Sequence, residues 1–252
     1  MFHLTGCLKK DIAKLQTLTS QLIEDNPTLA DHHMVGPHVP GSGFEGLKSR
    51  PGWLDIATHP DIVDMVEQLI GPDIILWGSG IFHKRALAGP ATPWHRDAKH
   101  TPVKPLATTS VWVAVFDSLR ANGCLRFLPG SHAARQVGAH SVQDREDLIF
   151  GSRSTKVKWM KIRLSTLSSK RVRWCCSTSS RFTEHEIISV SSRARATHFA
   201  SCPLRATTIT TAAVLRDLPG YGHHLRPLIL VRGVDRCGKN DFRRGHPSVT
   251  LR

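Results

Sequence analysis

The chain has 252 residues and a formal net charge of +14, and this length supports one domain with a full hydrophobic core. It contains no apolar run of the ~20 residues that a membrane span needs and no charged-then-apolar leader at its N-terminus, which argues against a membrane partner and against secretion. Its six cysteines form no C-x-x-C pair, so we expect neither a zinc ribbon nor a disulfide framework, and we expect a cytoplasmic location.

Two helices are predicted near the N-terminus. Residues 8–25 carry isoleucine and leucine at three- and four-residue steps, which is typical of a helix that packs by one face. Residues 61–70 show a similar apolar stripe between a starting proline and the glycine Gly71. The stretch between them, residues 31–58, is predicted to be irregular, and its histidines are expected in a solvated loop: His32, His33 and His38.

Short strands separated by turns are predicted from residue 74 onward. They are expected at 74–78, 80–86, 94–97, 109–116 and 124–128. Asn122-Gly123 is a two-residue hairpin signal, because both residues tolerate positive φ. Short strands punctuated by Gly, Pro and Asn, with few helices, favour a β-sandwich or barrel. The predicted class is mainly β with flanking N-terminal helices (α+β).

The stretch Trp94-His95-Arg96-Asp97 places an imidazole and a carboxylate two residues apart on a predicted strand. Side chains alternate along a strand, so His95 and Asp97 would lie on one side and could meet a single metal ion. A second histidine from elsewhere would complete the two-histidine, one-carboxylate site that leaves coordination positions open on Fe(II). Two polar residues in a surface loop would give the same pattern.

Further motifs accompany this one in residues 10–150. They are His38–Gly43, Pro51–Asp55, Gly71–Trp77, Ser110–Phe116, Asn122–Arg126 and Pro129-Gly130-Ser131-His132. Together with the His-x-Asp stretch they resemble the phytanoyl-CoA dioxygenase family. Those enzymes are Fe(II)- and 2-oxoglutarate-dependent oxygenases built on a double-stranded β-helix, a cupin-like jelly-roll barrel. The resemblance therefore implies that fold, Fe(II), 2-oxoglutarate as cosubstrate, and a small-molecule substrate that is hydroxylated.

The resemblance also assigns roles to individual residues. His95 and Asp97 match the first two metal ligands of the family. Trp112 falls where the family lines its cosubstrate pocket, although a core tryptophan would suit the same position. Lys84, on the preceding strand, is a second candidate for cosubstrate binding.

Two functional groups of the family are not recognisable in this chain. The family needs a distal histidine ligand and an arginine that forms charge-assisted, bidentate hydrogen bonds with 2-oxoglutarate. The nearest substitutes for the histidine are His185 and His198, and neither stands in a matching motif. Without the arginine, 2-oxoglutarate binding should weaken, since such bonds contribute ~1.5–3 kcal/mol each. The resemblance thus leaves open whether the chain is active.

Residues 156–216 differ in character from the rest of the chain. They hold 12 basic and 2 acidic residues, 18 of the 61 residues are Ser or Thr, and they show neither a strand nor a helix period. We predict an aberrant, poorly ordered segment here. It would separate the first half of the oxygenase domain, residues 1–155, from a family-like tail, residues 217–252. The barrel is expected to be incomplete after about residue 155.

A displaced reading frame would explain this composition. Plausible codons for Trp159–Ser179, read one nucleotide earlier, give VDEDPAVDVELEAGEMVLFNE, which resembles the family's next acidic strand and turn. We hypothesise that residues of about 155–216 arise in this way. Their basic charge would then be an accident of codons and not a selected binding surface.

Three functions are compatible with the sequence. The first is an oxygenase by descent, and the second is a catalytically dead scaffold from a damaged or mispredicted gene. The third is a basic nucleic-acid-binding protein, because residues 156–252 hold 19 basic and 5 acidic residues and so the whole net charge. That region lacks the regularly interleaved aromatic residues on which bases stack, so a nucleic-acid partner is not expected.

Overall fold

Strands and three helices make up most of what the computed structural model describes. It describes residues 11–29, 33–39, 41–42, 46–84, 92–96, 103–104, 108–119, 122, 124–127, 140–142, 152–154, 165–166, 174–178, 182–185, 194–203, 207–208 and 228–235. The helices are α1 (Ile12–Asp25), α2 (Trp53–Ala57) and α3 (Pro60–Ile70). None of the three reaches the length and hydropathy of a membrane-spanning helix.

The strands are numbered in chain order. They are β1 (His33–Val35), β2 (Gly41–Ser42), β3 (Lys48–Ser49), β4 (Ile74–Lys84), β5 (Thr92–Arg96), β6 (Val103–Lys104), β7 (Thr109–Ala114), β8 (Leu125–Phe127), β9 (His140–Val142), β10 (Ser152–Ser154), β11 (Ser165–Thr166), β12 (Trp174–Thr178), β13 (Phe182–His185), β14 (Ala194–Pro203), β15 (Thr207–Thr208) and β16 (Ile229–Arg232). For the strand residues between 127 and 208, the structure gives the backbone only.

The two predicted helices are confirmed as α1 and α3. Helix α1 begins at Ile12, with the preceding residues 8–10 outside the described part, and it buries its leucine stripe. Helix α3 begins at Pro60 because the ring of His59 accepts a hydrogen bond from the Asp61 backbone N–H (3.2 Å) and proline suits the first helical position. It ends before Gly71, whose φ of 92° few other residues adopt.

The prediction that residues 31–58 are irregular was wrong in part. Helix α2 and the short strands β1 to β3 lie there. Helix α2 has only five residues, which is too short to show a helical period, and it follows Gly52 at a φ of 104°. Trp53 and Ile56 of this helix are almost fully buried.

Strand β4 is one strand of eleven residues, whereas the sequence predicted two strands at 74–78 and 80–86. Instead of a break between two strands, the structure has one continuous strand with a bulge. Opposite β14 the pairing passes from Leu76 to Gly78 and skips Trp77. A bulge shifts the alternation of faces without ending the strand, which explains why Leu76 and Ile81 both pack against the helices.

The largest sheet is antiparallel and has six strands in the order β1-β4-β14-β7-β12, with β16 also paired to β4. Strand β14 follows β4 along its whole length. The other edge of β4 therefore holds both β1, opposite residues 80–82, and β16, opposite residues 74–76. The main hydrophobic core lies between this sheet and the three helices, and its central members include Leu15, Leu22, Trp53, Ile62, Val66, Leu76, Ile81, Val111, Val113 and Val115.

A second antiparallel sheet has four strands in the order β11-β8-β13-β5. The loop from β7 to β8 connects the two sheets, so the predicted Asn122-Gly123 hairpin was wrong. The Asn122 side chain closes a wider loop: its Oδ1 accepts from the Leu119 N–H (2.6 Å) and its Nδ2 donates to the Asp117 carbonyl (2.8 Å). An asparagine amide can form such bonds as readily as it can occupy a tight turn.

The expected loss of strands after about residue 155 is also corrected. Five strands, β11 to β15, lie between residues 165 and 208 within the described backbone. Each pairs with a strand of the first half: β8, β7, β5, β4 or β6. Backbone pairing needs no apolar alternation once partner strands supply the ladder, which is why a search for periodicity missed them.

The C-terminal strand β16 is attached to helix α3. Arg232 forms ion pairs with Asp64 (2.7 Å) and with Glu67, which lies one turn further along the helix. The following Gly233 has a φ of 77°, and a Cβ there would lie 2.8 Å from both the Asp73 Cα and the Pro72 carbonyl oxygen. Only glycine therefore fits without a shift of the backbone.

Candidate metal and cosubstrate site

His95 lies in strand β5, as predicted, at the edge of the four-stranded sheet. Its register partner is Thr183 on the neighbouring strand β13. Asp97 is the second residue after His95 in the sequence and lies outside the described residues. The structure thus gives the backbone setting of the first candidate ligand, and the pairing of His95 with Asp97 stays a prediction.

His185 and His198 lie in different sheets. His185 is on β13 opposite Thr92, beyond a register shift that follows Thr183. Thr92 is three residues from His95, about 10 Å along an extended strand. His198 is on β14 of the six-stranded sheet, between Gly80 and Trp112. The register therefore places neither histidine directly opposite His95.

Trp112 is buried on the face of β7 that points away from the helices. Val111 and Val113 alternate with it and belong to the helical core, whereas Trp112 does not. Its side chain is only 5% exposed. The indole N–H has no acceptor in the part of the chain that the structure describes.

Lys84 is the last residue of β4 and lies opposite Ala194 of β14. Its strand is separated from the strand of Trp112 by β14 alone. The two residues predicted for cosubstrate binding therefore belong to one sheet.

Sequence reasoning missed a buried polar pair beside this sheet. His38, expected in a solvated loop, is 3% exposed, and its Nδ1 lies 2.5 Å from the Ser79 Oγ. Strand β1 pairs with β4 immediately before this point, and the Gly36 N–H donates to the Ser79 carbonyl (2.9 Å), so the chain turns inward here. Among the described residues no three His, Cys, Asp or Glu side chains form a group that could hold a metal ion.

Two sets of arginine–carboxylate contacts among the described residues shift pKa values, and both lie on the helical side of the molecule. The Arg50 guanidinium donates hydrogen bonds to both carboxylate oxygens of Asp25 and lowers the pKa of that carboxyl below its usual value. The carboxylates of Asp64 and Glu67 raise the pKa of Arg232, with the Asp64 hydrogen bond as the largest cause. These pairs tie α1 to the segment before α2, and β16 to α3.

Comparison of the sequence with known families identifies one family. The model of the phytanoyl-CoA dioxygenase family matches residues 18–161. The chain belongs to this family. The matched range includes His95 in β5, and it also covers Asp97, Lys84 and Trp112. It ends near the point where the resemblance in the sequence stops.

Individual relatives match over shorter segments. Phytanoyl-CoA dioxygenase domain-containing protein 1 of Danio rerio is 44% identical over 66 residues, which is 26% of this chain and 22% of the relative. Its homolog in Dictyostelium discoideum is 43% identical over 110 residues, 44% of this chain and 38% of the relative. This chain therefore matches between about a fifth and two fifths of the length of these relatives.

Several solved structures have a similar fold. The non-heme monooxygenase ThoJ, in its apo form, has a TM-score of 0.70 at 18% identity and covers 93% of this chain and 80% of its own. The α-ketoglutarate-dependent carbocyclase SnoK has a TM-score of 0.64 at 18% identity, with 86% of both chains covered. EctD from S. alaskensis, solved with 2-oxoglutarate and 5-hydroxyectoine, has a TM-score of 0.63 at 14% identity, over 81% of this chain and 72% of its own.

Proposed function

We propose that this chain is an Fe(II)- and 2-oxoglutarate-dependent oxygenase of the phytanoyl-CoA dioxygenase type, acting on a small molecule in the cytoplasm. Membership of the family supports the reaction class. The observation that carries the proposal is the position of His95, the histidine of the family-like His-x-Asp motif, within strand β5 of the four-stranded sheet. A strand holds its side chains in fixed alternation, which suits a metal site.

We further infer that the two main sheets face each other as a jelly-roll barrel. Strand β7 is buried on both faces, and the helices cover only the face of Val111 and Val113. The face of Trp112 therefore needs a second layer, as does Ile75 of β4, which is fully buried but lies outside the helical core. The four-stranded sheet is the natural layer, because the Asn122 loop leads directly from β7 into it.

His95 and Asp97 would hold the iron from one strand. They match two of the three protein donors, one imidazole and one carboxylate, that non-haem Fe(II) oxygenases use while leaving coordination positions open. When bound, iron would allow O2 to react with 2-oxoglutarate and a substrate C–H bond, so that one oxygen atom enters the hydroxylated product, the other enters succinate, and CO2 is released.

Trp112 and Lys84 would contact the cosubstrate. The buried indole N–H of Trp112 is a hydrogen-bond donor that fits a carboxylate oxygen, and its face lies inside the proposed barrel. A lysine ammonium stabilises the same negative charge without the planar geometry of an arginine. This pair would bind 2-oxoglutarate less tightly than a bidentate arginine would.

Calorimetry on the full chain tests the proposal. We expect 2-oxoglutarate to bind in the presence of Mn(II), used as a redox-stable substitute for Fe(II), and not in its absence. His95→Ala should abolish this metal-dependent binding. His59→Asn is the matched control, because it removes an imidazole outside the site and asparagine keeps the N-cap of α3. Equal binding of 2-oxoglutarate by wild type and His95→Ala would refute the proposed site.

A further inference from the structure

His59 lies where the starts of two helices meet. It is the N-cap residue of α3. Its ring Nε2 lies 3.3 Å from the carboxylate of Asp11, the residue before α1, and its Nδ1 lies 3.8 Å from the carboxylate of Asp61 in the first turn of α3. The neighbouring charges of α1 and α2, Lys14 and Asp55, pair with each other (3.1 Å). In the part of the chain that the structure describes, one imidazole therefore faces a carboxylate at each of its two nitrogens.

The hydrogen bond at Nδ1 determines where the neutral His59 ring carries its proton. The Asp61 backbone N–H donates to Nδ1 (3.2 Å), so Nδ1 has a free lone pair and the ring proton is on Nε2. That nitrogen is the one that faces Asp11. Aspartate is a favoured N-cap residue, but the Asp11 side chain makes no capping hydrogen bond to its own helix α1. Its carboxylate is directed to His59 instead.

Protonation of the His59 ring would change what Nδ1 can do. An imidazolium has an N–H on both nitrogens and no acceptor, so it cannot receive the Asp61 backbone N–H. Its new N–H faces the Asp61 carboxylate across 3.8 Å, and its positive charge attracts both carboxylates. Histidine is the side chain that changes charge between pH 5 and 8 in its ordinary state. The His59 side chain is 22% exposed, which gives water access to the ring.

We propose that His59 is a pH-sensitive switch at the start of α3. The neutral ring caps the helix, whereas the protonated ring releases the Asp61 N–H and pairs with the carboxylates of Asp11 and Asp61. In the second state, charge attaches the start of α1 to the start of α3. Ile62 of the same helical turn belongs to the core that also contains Val113 of β7, so the switch lies at the edge of the helix layer that covers this strand. It is independent of the proposed metal site.

NMR spectroscopy of the full chain tests the switch. At about pH 8 the ring nitrogen shifts of His59 should show a proton on Nε2 and none on Nδ1, and the Asp61 amide proton should be shifted downfield by its hydrogen bond. At about pH 5.5 both ring nitrogens should be protonated, and the Asp61 amide proton should move upfield because its acceptor is lost. Aspartate ordinarily titrates at lower pH, so this movement reports on the imidazole.

His59→Asn is the matched variant, because asparagine keeps a side-chain cap but does not titrate. In this variant the Asp61 amide proton should keep its position over the same pH range. A neutral wild-type ring with its proton on Nδ1 would overturn the proposal, and that measurement needs no variant to fold. Equal movement of the Asp61 amide proton in wild type and His59→Asn would overturn it as well.

A double-mutant cycle tests the ion pair across the two helices. The coupling between His59 and Asp11 comes from urea unfolding of His59→Asn, Asp11→Asn and the double variant. It should be larger at about pH 5.5 than at about pH 8, because the ring then carries a positive charge. A coupling that stays constant or decreases on acidification would show that the protonated ring does not join α1 to α3.

Discussion

Strands β7 and β14 are hydrogen-bonded neighbours, but they come from regions of very different composition. Every residue of β7 is buried, and Val111 and Val113 belong to the core beneath the helices. Strand β14 lies in the basic, Ser/Thr-rich stretch and pairs with β4 and β7 on its two edges. Strand β14 is thus paired along both edges, whereas β7 also has the apolar sequence that predicts a buried strand. A sheet can therefore contain a strand whose sequence does not predict it.

The sharpest test of this comparison uses two residues that are register partners. Val113 of β7 lies opposite Thr197 of β14. Val113→Ala should lower the free energy of unfolding by about 2–4 kcal/mol, because it removes fully buried methyl groups and leaves a cavity. Thr197→Ala should cost about 1 kcal/mol or less, the full range of strand propensity. Urea unfolding of both variants measures the difference. Equal losses would show that β14 contributes a core of its own.

A second test concerns the C-terminal strand, which returns to the well-packed region. Gly233→Ala should cost about 1–3 kcal/mol, because it combines a positive φ with contacts of 2.8 Å to the Asp73 Cα and Pro72 carbonyl. Gly46→Ala is the matched control, since Gly46 has a φ of 78° and no atom within 4 Å of the added Cβ. The difference in unfolding midpoint between the two variants measures the effect of the close backbone contacts at position 233, because both positions have a positive φ. A smaller effect at 233 than at 46 would contradict the described contact of β16 with the segment after α3.

The ion pairs of Arg232 should contribute less to the free energy of unfolding than the fit of Gly233 does. Arg232→Lys keeps the charge but cannot reach Asp64 and Glu67 with one planar group. The side chains are 34% to 59% exposed, so solvent screens the pairs and the expected loss is about 0.5–1 kcal/mol. Thermal unfolding at low and high salt measures it, and the loss should shrink as salt increases. A loss that does not depend on salt would point to packing of the side chain instead of its charge.

The smallest effect is a dependence on pH at Asp25. Because Arg50 lowers the folded-state pKa of Asp25 below its ordinary 3.8, the pair contributes stability above that value and loses it as pH falls through the folded-state pKa. Asp25→Asn removes this contribution. The difference in unfolding midpoint between wild type and variant should be constant above about pH 5 and should decrease below pH 4. A difference that grows on acidification would contradict the pairing.

Helices α1 and α3 and strand β7 could be predicted because the order of apolar and polar residues in their own sequences indicates which residues are buried. The apolar stripes of α1 and α3 indicate which face of each helix packs against the core. The apolar run from Val111 to Val115 indicates a strand that is buried on both faces. Helix α2 and the buried pair of His38 and Ser79 could not be found this way, since five residues show no period and a buried histidine resembles an exposed one in sequence. The bulge at Trp77, which joins two predicted strands into β4, depends on the partner strand β14 and leaves no local signal.

The candidate site rests on His95 and Asp97, and their joint role stays a prediction. His95 and Asp97 lie two residues apart, so the sequence alone suggests a shared ion. The register partner of His95 is Thr183, 88 positions further along the chain, and only the pairing of β5 with β13 identifies it. Sequence reasoning chose His185 and His198 because they are histidines, and the register places neither of them opposite His95.

We propose that His95 and Asp97 of this chain together hold a divalent metal. The most direct measurement is a Mn(II) titration of wild type, His95→Ala and Asp97→Asn at equal protein concentration, with unfolding midpoints recorded in parallel. We predict that each substitution weakens binding and that each abolishes the stabilisation by Mn(II), since ligand binding stabilises the folded state. Wild-type affinity in either variant would contradict the claim.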